Sequence, residues 1–309
     1  MKRVLVTGAA GAIGLNLIKY LLAEGKYEIT ALDLKNKKVY KRLKRYRKRI
    51  NIIYGDILDR NLIENLVKDH DVVIHLSTCM PPLAEYKREL AQLIEYTGTE
   101  NIVRAINYYN PKCYLVYASS TSLYKEQQGH VDNKIKLGEY DYFNEAKEMA
   151  EKLICKKIKN YTIVRVPLVL SDLRTESFIY NIKRSDYIEL ISKEDAAYAF
   201  CHSLDKVSSL NKKIINIGGG ATCRVVYREL LVDILKYHGL SFNYLLTTIF
   251  IAKNYNSPVL LDSDKSNEIL NYRNDSIQSY LMRQKRRSRK RKIAIFLGKP
   301  FIWFLKRND

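Results

Sequence analysis

The chain opens with a strand, a glycine turn and a helix in direct succession. Val4-Leu5-Val6-Thr7 is a short β-rich run, and Gly8-Ala9-Ala10-Gly11-Ala12-Ile13-Gly14 follows with its glycines three apart. Ile13, Leu17, Leu21 and Leu22 then recur at helical spacing until Gly25. Gly8 permits a tight turn. Gly11 lets backbone N–H groups approach a pyrophosphate at the positive end of the helix, with Ala12 and Ile13 in its first turn. Gly14 lets that helix pack closely on the sheet. Asp33 ends the next strand-like run, about 20 residues on, where a carboxylate bonds both ribose hydroxyls of a dinucleotide. The plainer alternative for Asp33 is an ordinary turn residue. Its carboxylate repels the 2′-phosphate of NADP, whereas Lys35, Lys37 and Lys38 attract it. The carboxylate holds the closer position, so NAD is expected over NADP.

The alternation continues. Strand-like runs at residues 28–33, 51–54, 71–76, 114–118 and 161–166 are separated by helical patterns at 59–68, 85–109 and 139–159. That order implies an α/β fold, a doubly wound parallel sheet of Rossmann type. After Pro167 the pattern changes. A strand at 214–217 leads into Gly218-Gly219-Gly220, a helix is expected at 225–237 and a short one at 266–270. The expected organisation is a dinucleotide-binding core over 1–167, a small substrate lobe over 168–281 interleaved with the core, and a basic, amphipathic tail over 282–309. With 309 residues, 47% of them hydrophobic and 28% charged, the chain can bury a sizeable core; disordered, collagen-like and disulfide-scaffold classes are excluded. Five cysteines lack CxxC spacing, so reduced, buried thiols in the cytoplasm and no metal site are expected. The N-terminus leads directly into the glycine turn rather than into a signal peptide, and no run reaches the roughly 20 apolar residues of a spanning helix.

Further segments carry a resemblance in shared order. They are Gly55-Asp56-Ile57, Asp71-Val72-Val73-Ile74-His75-Leu76-Ser77, Ala118-Ser119-Ser120-Thr121-Ser122-Leu123-Tyr124, Arg165-Val166-Pro167, Glu194-Asp195-Ala196-Ala197 and Ile215-Asn216-Ile217-Gly218. With the three-glycine turn, residues 2–281 resemble the NAD-dependent epimerase/dehydratases, extended members of the short-chain dehydrogenase/reductases. The resemblance implies that Asp56 and Ile57 lie at the adenine, Leu76 beneath the cofactor and Pro167 beside the nicotinamide, and that 194–197 form a turn. It implies a nucleotide-sugar substrate, transient hydride transfer at a sugar carbon, and pairing of subunits through the helices at 85–109 and 139–159.

That family works with a serine, a tyrosine and a lysine. Ser120 matches the serine, four residues before Tyr124, and Lys147 matches the lysine, which also holds the ribose. Four residues before Lys147, where the tyrosine belongs, stands Phe143. Tyr142 points about 100° away on a helix, and Tyr140 lies about 10 Å down its axis. Either serves only if the backbone ahead of the helix departs from helical geometry. The stretch from 168 to 195 is short for the family, and Leu168-Val169 replaces its Gly-Asn. Two readings stand: an enzyme acting on a nucleotide sugar, and a non-catalytic NAD-binding scaffold or sensor.

Charge is concentrated in two places. The net charge is +20, yet residues 35–49 carry ten cations and no acid, residues 283–292 carry eight, and the remainder is nearly neutral. Val39, Leu43, Tyr46 and Ile50 recur at helical spacing within the first segment, so it reads as a basic amphipathic helix, either packed on the sheet or bound to a polyanion. The second precedes two apolar pentads, 293–297 and 301–305, broken by Lys299 and Pro300. This tail is too short to span a bilayer and suits an anionic membrane interface, with Trp303 at headgroup depth. A docking arm for a protein is the next reading. Nucleic-acid binding, which favours aromatics interleaved with cations, is the weakest.

Overall fold

The computed structural model describes residues 1–79, 84, 87–124, 130–131, 142–170, 187–238 and 260–289. In chain order the described strands are β1 (Lys2–Thr7), β2 (Tyr27–Asp33), β3 (Asn51–Tyr54), β4 (Val72–His75), β5 (Tyr114–Ser120), β6 (His130–Val131), β7 (Tyr161–Val166), β8 (Leu168–Leu170), β9 (Tyr187–Ser192), β10 (Lys213–Asn216), β11 (Arg224–Val226) and β12 (Leu260–Leu261). The helices that matter for the site are α1 (Ala12–Glu24), α2 (Lys37–Leu43), α3 (Arg60–Lys68), α4 (Arg88–Gln92), α5 (Gly98–Tyr109), α6 (Tyr142–Lys157) and α7 (Lys193–Ser203).

Seven parallel strands form the main sheet in the order β10-β7-β5-β4-β1-β2-β3. Alternation along each strand feeds two cores. Val4, Val6, Val72, Ile74 and Val116 face one core with Leu17, Ile18 and Leu21 of α1, Val39 and Leu43 of α2, and Phe200 of α7. Leu5, Val73, Leu115 and Tyr117 face the other with Ile63 of α3, Ile102 and Ile106 of α5, and Ile154 of α6. Burial on both faces is why these strands are apolar throughout, as the sequence predicts. The strand order runs outward in opposite directions from β1 and β4. The C-terminal ends of those two strands therefore border a crevice at the switch point.

A second sheet, β11-β9-β8, has its own core of Leu168, Leu170, Ile188, Leu190 and Tyr227. β10 returns from beyond residue 167 to the edge of the main sheet beside β7.

Several local expectations are corrected. Val225 and Val226 belong to β11, paired with β9, and the helix begins at Tyr227. Residues 194–197 are not a turn but the start of α7, capped by the Ser192 hydroxyl, which accepts the Asp195 N–H at 2.9 Å. The helical pattern at 85–109 is interrupted by a π-helical turn, Leu93–Thr97, between α4 and α5; residues 85 and 86 lie outside the described residues. Cys155 is exposed, while the other four cysteines are buried and all five are free. Within the basic segment at 35–49 only Lys37–Leu43 is α-helix, followed by a 3₁₀ turn at Lys44–Tyr46, and its apolar side is buried on the sheet through Val39, Leu43 and Tyr46. Of the tail, residues up to 289 continue a helix, Ile277–Arg289; the apolar pentads lie outside the described residues. No helix among the described residues is long and apolar enough to cross a membrane.

Candidate active site

The crevice at the switch point has a volume of about 780 Å³. Its floor is the glycine turn. Gly8 adopts φ +65°, and a Cβ there would come within 2.8 Å of the Leu76 carbonyl and the Ser77 nitrogen, so the turn is pressed against the end of β4. A Cβ on Gly14 would lie 2.6 Å from Gly8 O and 2.7 Å from Ala9 O. Gly11 is different: a Cβ there would meet only Gly8 O, at 3.1 Å, and would otherwise stand in the crevice. No side chain caps the N-terminus of α1. The first-turn amides of Ala12, Ile13 and Gly14 thus face the crevice with the positive end of the helix dipole.

Asp33 stands at the end of β2, on the far side of β1. Its Oδ2 accepts the Ala10 N–H and its Oδ1 the Leu34 N–H, each at 2.8 Å, which fixes the carboxylate at the crevice wall. Burial raises its pKa, and those amides and the nearby Arg42 guanidinium oppose the rise. Arg42 donates to Ala10 O at 2.8 Å and lines the same wall with Lys38. The sequence had hidden Arg42 among ten like charges; only its place on the inner side of α2 distinguishes it. Asp56 accepts the Leu58 N–H at 3.0 Å, and Ile57 lies beneath Gly98, where a Cβ would come within 2.9 Å of it. Both line the crevice, as do Leu76 and Pro167.

The other end holds Ser120, Phe143 and Lys147. Ser122 gives its hydroxyl hydrogen to Asn144 Oδ1 at 2.5 Å, so the 2.7 Å contact between Ser120 and Ser122 is a donation from Ser120. Ser120 also accepts the Ser122 N–H at 3.1 Å. Its hydroxyl therefore faces the crevice as an acceptor. Lys147 is 3% exposed. Its Nζ donates to Glu95 Oε2 at 2.9 Å and to Ala118 O at 3.1 Å, and lies 3.5 Å from the Tyr117 hydroxyl. Burial works against its charge, but Glu95 and Tyr117 more than compensate, and its pKa is raised. Phe143 is buried with Cys79, Ala84 and Ala91, its ring 5.4 Å from Nζ. Tyr142 opens α6, and Tyr140 lies outside the described residues. Tyr117, the phenol beside Lys147, is fully buried under the sheet. His75 is held between the hydroxyls of Thr7 (2.7 Å) and Thr99 (3.1 Å); burial, with Lys147 nearby, pushes its pKa down to about 3, so the ring is neutral.

The residues fit a dinucleotide. The Gly11 cradle is open, the first-turn amides are uncapped, and Ser119, which lines the crevice, has a buried hydroxyl without a partner. Among the described residues no group of three or more His, Cys, Asp or Glu is placed to hold a metal ion.

The family model described as "NAD dependent epimerase/dehydratase family" matches residues 4–218. A UDP-N-acetyl-alpha-D-glucosaminuronate decarboxylase of Bacillus cytotoxicus is 34% identical over 129 residues, 40% of this chain and 38% of that protein. The chain spans less than half the length of the curated relatives it matches. Among solved structures, UDP-glucuronic acid 4-epimerase from Bacillus cereus, in complex with UDP-glucuronic acid and NAD, superposes with a TM-score of 0.78 at 19% identity, over 93% of this chain and 99% of that one. DesIV, a dTDP-glucose 4,6-dehydratase from Streptomyces venezuelae with NAD and TYD bound, gives 0.79 at 19% identity, over 93% and 97%. At that identity the likeness is one of fold. The family model, matching more than half of the chain, carries the assignment: the chain belongs to the NAD-dependent epimerase/dehydratase family.

Proposed function

We propose that this crevice binds NAD and that the chain converts a nucleotide sugar by transient oxidation at one sugar carbon. Bound NAD supplies the two-electron acceptor and donor. The uncapped amides at Ala12, Ile13 and Gly14 hold the pyrophosphate, and Asp33 takes the adenosine ribose. Asp56 and Ile57 border the adenine, Leu76 and Pro167 the nicotinamide end, and Lys147 sets a fixed positive charge beside the nicotinamide ribose. Ser120 presents an acceptor to a substrate hydroxyl. Residues 168–281 serve as the substrate lobe. One observation carries the reading: Ala10 N–H ties the glycine turn to Asp33 at 2.8 Å, so the anion-binding amides and the ribose-binding carboxylate form one rigid unit. The nucleotide-sugar substrate is supported by family membership and by the sugar nucleotides named for the relatives.

Calorimetry with NAD and NADP, followed by incubation of the NAD-loaded chain with UDP-glucuronic acid, UDP-glucose and dTDP-glucose, tests this. Expected results are tighter binding of NAD than NADP, and NADH absorbance or an altered sugar by NMR. Absence of heat with both cofactors would sink the proposal. Phe143 favours a second reading, a non-catalytic NAD-binding protein; bound NAD with every sugar returned unchanged would establish it.

The cationic stretch of 283–292 and the apolar pentads beyond it support attachment to an anionic membrane surface. Deletion of residues 283–309 should release the protein from phosphatidylserine vesicles, and unchanged co-sedimentation would remove this part. A homodimer through α4, α5 and α6 is the expected assembly, to be checked by light scattering; a monomeric mass would exclude it.

A further inference from the structure

The crevice lacks a phenol at position 143, but it does not lack a group that can hold a proton. Glu95 lies in the π-helical turn between α4 and α5 and is fully buried. A π turn changes the direction of the side chains it carries relative to the flanking α-helix, and such turns recur at functional sites. Here it sets a carboxylate among three donors. Oε2 receives Lys147 Nζ at 2.9 Å; Oε1 receives the Cys79 N–H at 2.7 Å and the Thr78 hydroxyl at 2.5 Å. Thr78 is exposed and lines the crevice. A hydroxyl has one hydrogen to give and two lone pairs with which to accept. The Thr78 oxygen therefore connects the crevice to a buried carboxylate.

We infer that Thr78 and Glu95 together form the proton-accepting pair of this site. The inference rests on the NAD-dependent reading above. A substrate hydroxyl gives its proton to Thr78 Oγ1 as the Thr78 hydroxyl hydrogen moves to Glu95 Oε1. The O–H bond of the substrate breaks and its oxygen becomes a carbonyl; bound NAD would take up the carbinol hydrogen with its electron pair. Returning the proton along the same path completes the reverse step. Thr78 touches the substrate and is the catalytic residue. Glu95 acts through it and is the positioning and proton-holding residue.

Among the described residues, the competing routes at this end of the crevice do not lead to a base. Ser120 donates to Ser122, which donates to the Asn144 amide oxygen, and an amide does not take up the proton. Lys147 is already an ammonium. The groups around Glu95 are Lys147 from α6, Tyr117 from β5, His75 from β4 and Cys79 from the segment after it. Burial pushes both Tyr117 and Cys79 up, so they are protonated, and His75 is neutral and turned to Thr7 and Thr99. Glu95 is the carboxylate that pairs with Lys147 at 2.9 Å, and that ammonium compensates its burial.

The test uses the full chain with NAD and the three sugar nucleotides named above, and compares Thr78→Val, Thr78→Ser and Glu95→Gln. Thr78 is exposed, so its variants keep the fold even where Glu95→Gln, which strands Lys147, does not. Calorimetry should give NAD affinities within about threefold of the parent for both Thr78 variants. Turnover should fall by about 100-fold or more in Thr78→Val, the scale of general base catalysis, and return in Thr78→Ser. The infrared difference spectrum on adding UDP-glucose to the NAD-loaded parent should gain a carboxylic-acid band that Glu95→Gln and Thr78→Val lack. Turnover that persists in Thr78→Val, or a missing carboxylic-acid band during turnover by the parent, overturns the relay and leaves the NAD-dependent reading intact. A parent that binds no NAD, or converts none of the sugars, overturns that reading and the relay with it.

Discussion

Gly14 and Gly11 are both turn glycines, yet they are required for different reasons. At Gly14 the neighbours of a Cβ would be two backbone carbonyl oxygens at 2.6 and 2.7 Å, and neither can rotate away. Gly14→Ala is expected to lower stability by about 1–3 kcal/mol, measured by urea denaturation. At Gly11 a Cβ would meet one carbonyl oxygen, Gly8 O at 3.1 Å, and otherwise stand in ligand space, so Gly11→Ala should lower the melting temperature less than Gly14→Ala while weakening NAD binding in calorimetry. Asp195 gives a prediction in pH. Burial raises its carboxyl to about 6, against the amides of Asn274 and Asp275 that it accepts at 3.1 Å. Its folded pKa exceeds its unfolded one, so its contribution to stability is complete below the unfolded value and is lost as pH rises through about 6. The melting temperature of Asp195→Asn, relative to the parent, should therefore be more favourable at about pH 7 than at about pH 4. A difference independent of pH would show that Asp195 titrates normally. At this scale the glycines were readable because a turn's needs are local. The partners of Ser120 and Lys147 were not, because nothing in their spacing records which hydroxyl donates to which.

The basic segment made of α2 and the 3₁₀ turn after it (Lys44–Tyr46) shows what periodicity does and does not reveal. Positions 39, 43 and 46 marked an apolar stripe, and the structure buries Val39, Leu43 and Tyr46 on the sheet beside α1. The stripe thus belongs to the core, and the exposed cations other than Lys38 and Arg42, which line the crevice, form a solvated face. Leu43 is fully buried; Leu43→Ala should cost about 2–5 kcal/mol in chemical denaturation, whereas Lys41→Gln on the exposed face should fall within about 0.5 kcal/mol of the parent. An equal effect of the two would contradict the packing. The helical pattern at 85–109 was legible as a helix, but the π turn within it was not. One extra residue in a turn leaves the apolar spacing on either side nearly intact and changes only where Glu95 points.

Across the whole molecule, charge and topology are set at different levels. Both cationic segments could be counted directly, and they place most of the +20 net charge in 25 of 309 residues. If the tail meets a membrane by its charge, binding of the full chain to phosphatidylserine vesicles should weaken as salt rises from about 0.05 to 0.5 M, where the screening length shortens severalfold. Binding insensitive to salt would assign the attachment to the apolar pentads alone. The parallel sheet, the glycine turn and Asp33 were determined by the sequence itself, because strand, turn and helix follow one another and every requirement is met within a few residues. The return of β10 to the sheet edge, the burial of Phe143 and the ion pair between Glu95 and Lys147, 52 residues apart, were decided only by the tertiary structure. Those features depend on distance through space and on exclusion of water, and neither is encoded in the spacing of residues along a chain.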